Sequence, residues 1–417
     1  MFNKLIIFLI LLVPILNGQD NVDGRISISS FSNYSEGFSE RSALRLKQRF
    51  SLDVRNIADS KFSFTSYINS DYRQYLRNDE NLTSRHLNIY ALALCYDINN
   101  KSSLIIGRKI NPVLSNIGAI DGLQYNRNWE KYSGGIILGS RPDFNDYGYN
   151  NKLLEAGIYG SRSSIDKSNQ ISLALTQQMN GKSIDRRSLY FSHQNKVSDK
   201  FRYYLNGEFD LYKKIDSVVS SSFRLTGLYI STTYRPNKAL SFSSSYNSRK
   251  NIIYYETFKS YAEQLFNDET RHGIRTRINW KISRYIYFGL NSGYRFKKGD
   301  DRSSYNYSGS ISHSKLPLLN VMSRLTVSYL RSNYLEGEIV DFYISKNLFS
   351  GFLAVSSNYK NIDYNYTQSN SNHKQQLLSG DLTWQLKSKL SFTLSYYGSI
   401  EDEMDYNQIY FVVTQRF

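Results

Sequence analysis

The sequence predicts an all-β protein: a transmembrane, antiparallel, up-and-down β-barrel of about 22 strands (range roughly 18–22, an even number) with no plug domain inside it. Three observations predict this. Alternation of apolar and polar residues with period two recurs from about Arg25 to Phe417, and helical periodicity never persists for long. Short turn signals punctuate that alternation at regular intervals. The composition is biased toward strand formers, with 36 Tyr and 23 Phe against 5 Pro in 417 residues.

At the N-terminus, Leu5–Leu16 is the one continuously apolar window, preceded by Lys4 and followed by Asn17-Gly18-Gln19-Asp20. It is too short to span a bilayer as a helix, which takes roughly 20 residues. Basic start, short apolar block and polar exit match a cleaved signal peptide over residues 1–18, although Leu16 is not the small residue expected before a cleavage site. Residues 19–417 then form a single barrel domain, since no Pro-rich or Gly/Ser-rich segment divides them. With strands beginning near Arg25, no room remains for a plug. Cys95 is the single cysteine, so no intramolecular disulfide exists, and in Ala91-Leu92-Ala93-Leu94-Cys95 it reads as a small packed residue.

Two strands carry the pattern most clearly. From Arg41 to Arg55, Leu44, Leu46, Phe50, Leu52 and Val54 share one face with Gln48, while Arg45, Lys47, Arg49, Asp53 and Arg55 share the other. From Arg271 to Ile282, Ile274, Ile278, Trp280 and Ile282 oppose Arg271, Arg275, Arg277, Asn279 and Lys281. The greasy face suits hydrocarbon and the charged face an aqueous interior. Arg45, Lys47, Arg49, Arg275, Arg277, Lys281, Arg295 and Lys297 are therefore the candidate lumen-lining cations. Tyr125, Tyr132, Tyr203, Tyr234, Tyr285 and Tyr410 fall near strand ends, where a ring can be buried at the interface with its hydroxyl wet.

Turn signals fall at Asn56–Asp59, Ile98–Lys101, Trp129–Ser133, Asp166–Ser168, Val197–Lys200, Arg235–Lys238, Ile282–Arg284, Lys315–Pro317, Lys346–Leu348 and Lys387–Lys389. Ten such turns separate eleven hairpins, which is the source of the strand count. Between them lie longer connections: Asn111–Ile120, Pro142–Asn151, Asn251–Glu269 and Asn361–Lys374. These are expected on the opposite rim, outside the cell.

The last predicted strand, Met404–Phe417, places Ile409, Phe411, Val413 and Phe417 on one face and stops on the aromatic. It resembles the terminal strand of outer-membrane β-barrels of the porin type from Gram-negative, Bacteroidetes-like bacteria. In that family the ending is a signal read by the barrel-assembly machinery. Gln415 departs from the pattern, which has an apolar or aromatic residue there. The resemblance implies an outer-membrane location and contact with outer-membrane lipid. The segment Ile106–Pro112 followed by Ile117–Gly122 also looks like a strand-loop-strand of some larger porins and polysaccharide-export barrels. Asn111, Pro112, Gly118, Asp121 and Gly122 would then belong to a constriction loop; a connection packed on the barrel wall is the other reading.

Chemistry beyond transport finds little support. The histidines His86, His193, His272, His313 and His373 are scattered without metal-ligand spacing, and no nucleophile elbow or phosphate-binding loop occurs. No catalytic residue, metal or cofactor is expected, and an enzyme is not. A formal net charge of +16 would ordinarily raise nucleic acid as a partner. Here the basic residues alternate with lipid-type residues along strands, which turns them inward instead. The expected function is a channel for small polar or anionic solutes; the alternative is a non-conducting barrel serving as a surface-interaction or assembly scaffold.

Overall fold

A computed structural model describes residues 21–36, 41–77, 80–114, 117–215, 218–250, 252–256, 270–297, 299, 303–369, 371–401 and 405–417. The predicted signal peptide lies outside the described residues. In chain order the strands are β1 (Val22–Glu36), β2 (Arg41–Val54), β3 (Phe62–Arg77), β4 (Glu80–Asn99), β5 (Ser102–Ile110), β6 (Ala119–Trp129) and β7 (Tyr132–Ser140). They continue as β8 (Leu154–Ser163), β9 (Asn169–Asn180), β10 (Ser183–Lys196), β11 (Phe201–Ile215), β12 (Val218–Tyr234), β13 (Leu240–Arg249), β14 (Arg271–Lys281) and β15 (Ile286–Lys297). The last seven are β16 (Ser304–His313), β17 (Met322–Arg331), β18 (Leu335–Leu348), β19 (Leu353–Tyr366), β20 (Ser371–Lys387), β21 (Leu390–Glu401) and β22 (Asp405–Arg416).

Each strand pairs antiparallel with its sequence neighbours, and β1 pairs with β22 in the register Arg25 opposite Arg416, so the 22-stranded sheet closes. In hydrocarbon each orphaned backbone N–H or C=O costs several kcal/mol, and closure satisfies them all between strands. The seam is packed as well as paired. Phe417 and Gly24 exchange two backbone hydrogen bonds of 3.0 Å, and the Phe417 ring fills the space where a Cβ on residue 24 would stand.

Alternation sorts the side chains into two environments. Leu46, Leu94, Ile106, Leu138, Ile158, Leu173, Ile274, Phe342, Leu382 and Phe411 are exposed on the outer face, an apolar belt around the closed sheet. A belt of that kind needs a bilayer to cover it. Tyr125, Tyr132, Tyr203 and Tyr234 share this face near one rim. Tyr410 does not. It shares the face of Gln408 and Thr414, whose hydroxyl meets Ser27 inside, so this predicted interfacial tyrosine points to the lumen.

All ten predicted turns lie at or within a few residues of one rim, where the first strand of each following hairpin begins. The fit is loosest at Lys346–Leu348, which finishes β18 before the turn at Phe349–Gly351. One predicted loop is corrected: most of Asn361–Lys374 is strand, with β19 reaching Tyr366 and β20 starting at Ser371. About ten residues suffice to cross a bilayer, and these strands have 14 and 17, so they run on into water where both faces accept polar residues.

Candidate functional site

The candidate site is the lumen, and its wall divides into a filled sector and an open one. The filled sector runs from β5 to β12. The β5–β6 connection folds inward, burying Leu114 and Ile117 with Ile120, Ile137, Tyr159 and Ala174 in an apolar cluster on the inner wall, with Val113 and Tyr190 beside it. Asn111 starts the fold. Its side-chain oxygen accepts the backbone N–H groups of Val113 (2.9 Å) and Leu114 (3.3 Å), while its amide donates to Gln124 (3.2 Å). Of the five predicted constriction residues, Asn111, Pro112 and Gly118 belong to this connection. Asp121 and Gly122 do not; both lie on β6, where Asp121 forms an ion pair with Arg108. The two readings of this segment are both partly met: the connection is inside the barrel, and it is packed on the wall.

Two further segments cover the same sector. In the β7–β8 connection, Arg141 donates to Gln178 on β9 (3.0 Å) and to the Tyr254 hydroxyl (2.8 Å), and its guanidinium stacks on Phe144 at 4.6 Å. Farther along, the Tyr147 carbonyl accepts from Arg108 (2.7 Å). Asp143 holds this connection in shape: it accepts the Asn145 N–H and the Asn150 amide, and those two bonds keep its carboxyl below the usual carboxylate range. Residues 252–256, after β13, reach across to β10, where Asp185 accepts the Glu256 N–H at 2.7 Å; the Glu256 carboxylate meets Lys214 of β11. The rest of predicted connection Asn251–Glu269 lies outside the described residues.

Beneath these segments a matched network of charges centres on buried Arg186 and Asp210. Arg186 bonds Asp210 (2.9 Å) and Glu208 (2.8 Å), and Arg224 takes the other Asp210 oxygen at 3.0 Å. Glu155 is 5% exposed, and among the described residues its Oε2 has no hydrogen-bond partner. None of these residues was singled out from the sequence. A signal existed: Asp185-Arg186-Arg187 places three consecutive charges in a strand, which alternation cannot put on one face, and the register shifts between Ile184 and Arg186.

The open sector runs from β13 to β17. Its lumenal face carries Arg249, Arg271, Arg275, Arg277, Lys281, Arg295, Lys297 and Arg324, among Ser and Asn, and the five strands contain no Asp or Glu on either face. Arg277 donates to Asn291 (2.8 Å) and Lys281 stands over the Tyr287 ring. Among the described residues, no carboxylate comes within ion-pair distance of Arg271, Arg275, Arg277 or Arg295. Cations on diagonal neighbours, roughly 7–8 Å apart, repel by about 0.5 kcal/mol in bulk water and about 2 kcal/mol at an effective dielectric of ~20. Such a wall is stable only if water and counter-ions reach it.

The remaining predicted cations are treated differently. Arg45 and Arg73 converge on Asp71, at 2.8 Å (Nε to Oδ1) and 2.9 Å, and Lys47 and Arg49 continue that inward row on β2. By strand order this patch stands opposite β13–β14 across the cylinder. All eight predicted cations thus fall on the inward face by register, and Arg45 is one that forms an ion pair.

A search of protein-family models and of curated protein sequences finds no match. Solved structures do match. The P pilus usher (PapC) translocation pore aligns with TM-score 0.55 at 11% identity over 95% of this chain and 99% of that one. Pseudomonas aeruginosa OccK7 (OpdD) aligns with TM-score 0.47 at 12% identity over 95% and 98%, and OpdQ of the same organism with 0.45 at 10% over 96% and 99%. The likeness is one of fold. This chain has the architecture of bacterial outer-membrane barrels, and with its apolar belt it is an outer-membrane protein.

Proposed function

We propose that the chain is exported by its signal peptide and forms an outer-membrane channel through which small polar and anionic solutes diffuse passively, with no covalent chemistry. The observation that carries this reading is the β13–β17 wall, cationic and without a carboxylate on any of five adjacent strands. Fixed cations along a wet passage lower the barrier for anions and raise it for cations. The usher translocation pore that shares the fold supports a conducting lumen. The predicted assembly signal, Ile409, Phe411, Val413 and Phe417, would act before the seam with β1 closes, with the barrel-assembly machinery as partner.

A second reading has its own support. The inward connections fill the lumen along β5–β12, as in a non-conducting scaffold whose outer loops bind a partner. Planar-bilayer recording separates the two. A channel gives stable steps whose reversal potential in a salt gradient shows anion preference, reduced when Arg275 and Arg277 are replaced by Gln. A correctly folded barrel that never conducts would remove the channel reading in favour of the scaffold.

A further inference from the structure

We infer that the lumenal wall around Gly273 is a binding subsite for a tetrahedral oxyanion bearing two negative charges, of the phosphate or sulfate class. This rests on the channel reading and deepens it. Gly273 has Asn247 as its register partner on β13 and Arg295 on β15, while Arg271 and Arg275 flank it on the same face of β14. Three guanidinium groups and an amide therefore surround a position with no side chain. A Cβ there would have only ordinary contacts, with Arg295 Cγ at 3.8 Å, the Tyr294 carbonyl oxygen at 3.9 Å and Asn247 Oδ1 at 4.0 Å, so the floor of the cradle is open rather than occupied.

The neighbouring line is closed by contrast, because the Asn306 side chain covers Gly293. Gly293 stands opposite Arg275, and Lys297 opposite Arg271. Donors rooted on three adjacent strands around one position suit an ion whose oxygens point several ways; a carboxylate offers two oxygens in one plane. Two charges are favoured because, among the described residues, Arg271, Arg275 and Arg295 have no carboxylate to neutralise them. The ion could arrive free or as the end group of an ester, and both share this chemistry.

The test is chloride conductance of the folded barrel with inorganic phosphate at pH 8, sulfate or a sugar phosphate added in turn. Saturable reduction of the chloride current by all three is expected. Arg295→Gln and Arg275→Gln should each raise the half-blocking concentration roughly 10- to 100-fold, with Arg295→Lys recovering part of the loss. Block by the inorganic ions alone would assign the subsite to the free ion. If chloride passes but none of the three blocks, or if the Gln variants block like the parent, the subsite is wrong and the channel stands. If the folded barrel passes no chloride, the channel reading fails, and equilibrium dialysis of phosphate against the detergent-folded protein decides the subsite by itself: binding lost in Arg295→Gln upholds it, and no binding overturns it. Heat-dependent electrophoretic mobility verifies that each variant has folded.

Discussion

The two sectors of the inner wall are built from the same strand chemistry and spend their charges in opposite ways. Along β10–β12, buried Arg186 and half-buried Arg224 are matched by Glu208 and Asp210 under inward connections. Along β13–β17, arginines of the same kind stand exposed with no acid on the strands at all. Charge that is matched and covered fixes structure. Charge that is unmatched and wet is left over for something mobile, and the comparison locates where a solute would be felt without any bound ligand to mark it.

Substitutions in the two sectors should therefore differ in kind as well as in size. Arg186→Ala leaves Glu208 without its partner and buried Asp210 with Arg224 alone, so a stability loss of about 3–5 kcal/mol is expected in denaturant-induced unfolding. A loss near zero would mean that the covered sector is wetter than the structure indicates. Next in size, Leu114→Ala should loosen the β5–β6 connection by about 2–5 kcal/mol, read as faster protease cleavage near residue 114 and larger, noisier conductance steps. Unchanged cleavage would show that the connection is held by Asn111 rather than by apolar packing.

In the open sector, Arg275→Gln should leave stability within about 0.5 kcal/mol while anion preference falls; a large stability loss would make this a second structural network. The smallest effect concerns pH. Asp143 has its carboxyl lowered in the folded state, so its stabilisation is complete above the ordinary value near pH ~4 and is lost as pH falls through the lowered folded value. Below pH ~4 hydrogen exchange across residues 141–153 should quicken in the parent and already be fast at neutral pH in Asp143→Ala. Acid-insensitive exchange in the parent would remove Asp143 as the brace.

The strand number and the inward row of cations were legible because both are local. Ten turn signals give eleven hairpins, and alternation alone puts Arg275 and Ile274 on opposite faces. What failed depended on where local rules stop. Asn361–Lys374 is polar enough for a loop, yet a strand that has left the bilayer no longer needs an apolar face. The inward folding of Leu114 and Ile117 is a tertiary event: the residues show that the connection wants burial, and only the assembled wall shows which surface buries it. Asp210 and Glu208 look like any lumenal acids until β10 brings Arg186 beside them, and the irregular Asp185-Arg186-Arg187 run was the available hint.

The pairing of β1 with β22 has a kinetic meaning. Every other strand contact joins sequence neighbours and can form as soon as its hairpin does, whereas Ser27 meets Thr414 across 387 residues. Until that last contact forms, the growing sheet presents two unpaired edges and an apolar surface, the combination that invites aggregation. A single contact of such high order should make closure the slow step of folding. Whatever escorts the nascent barrel must therefore guard its two ends more than its middle.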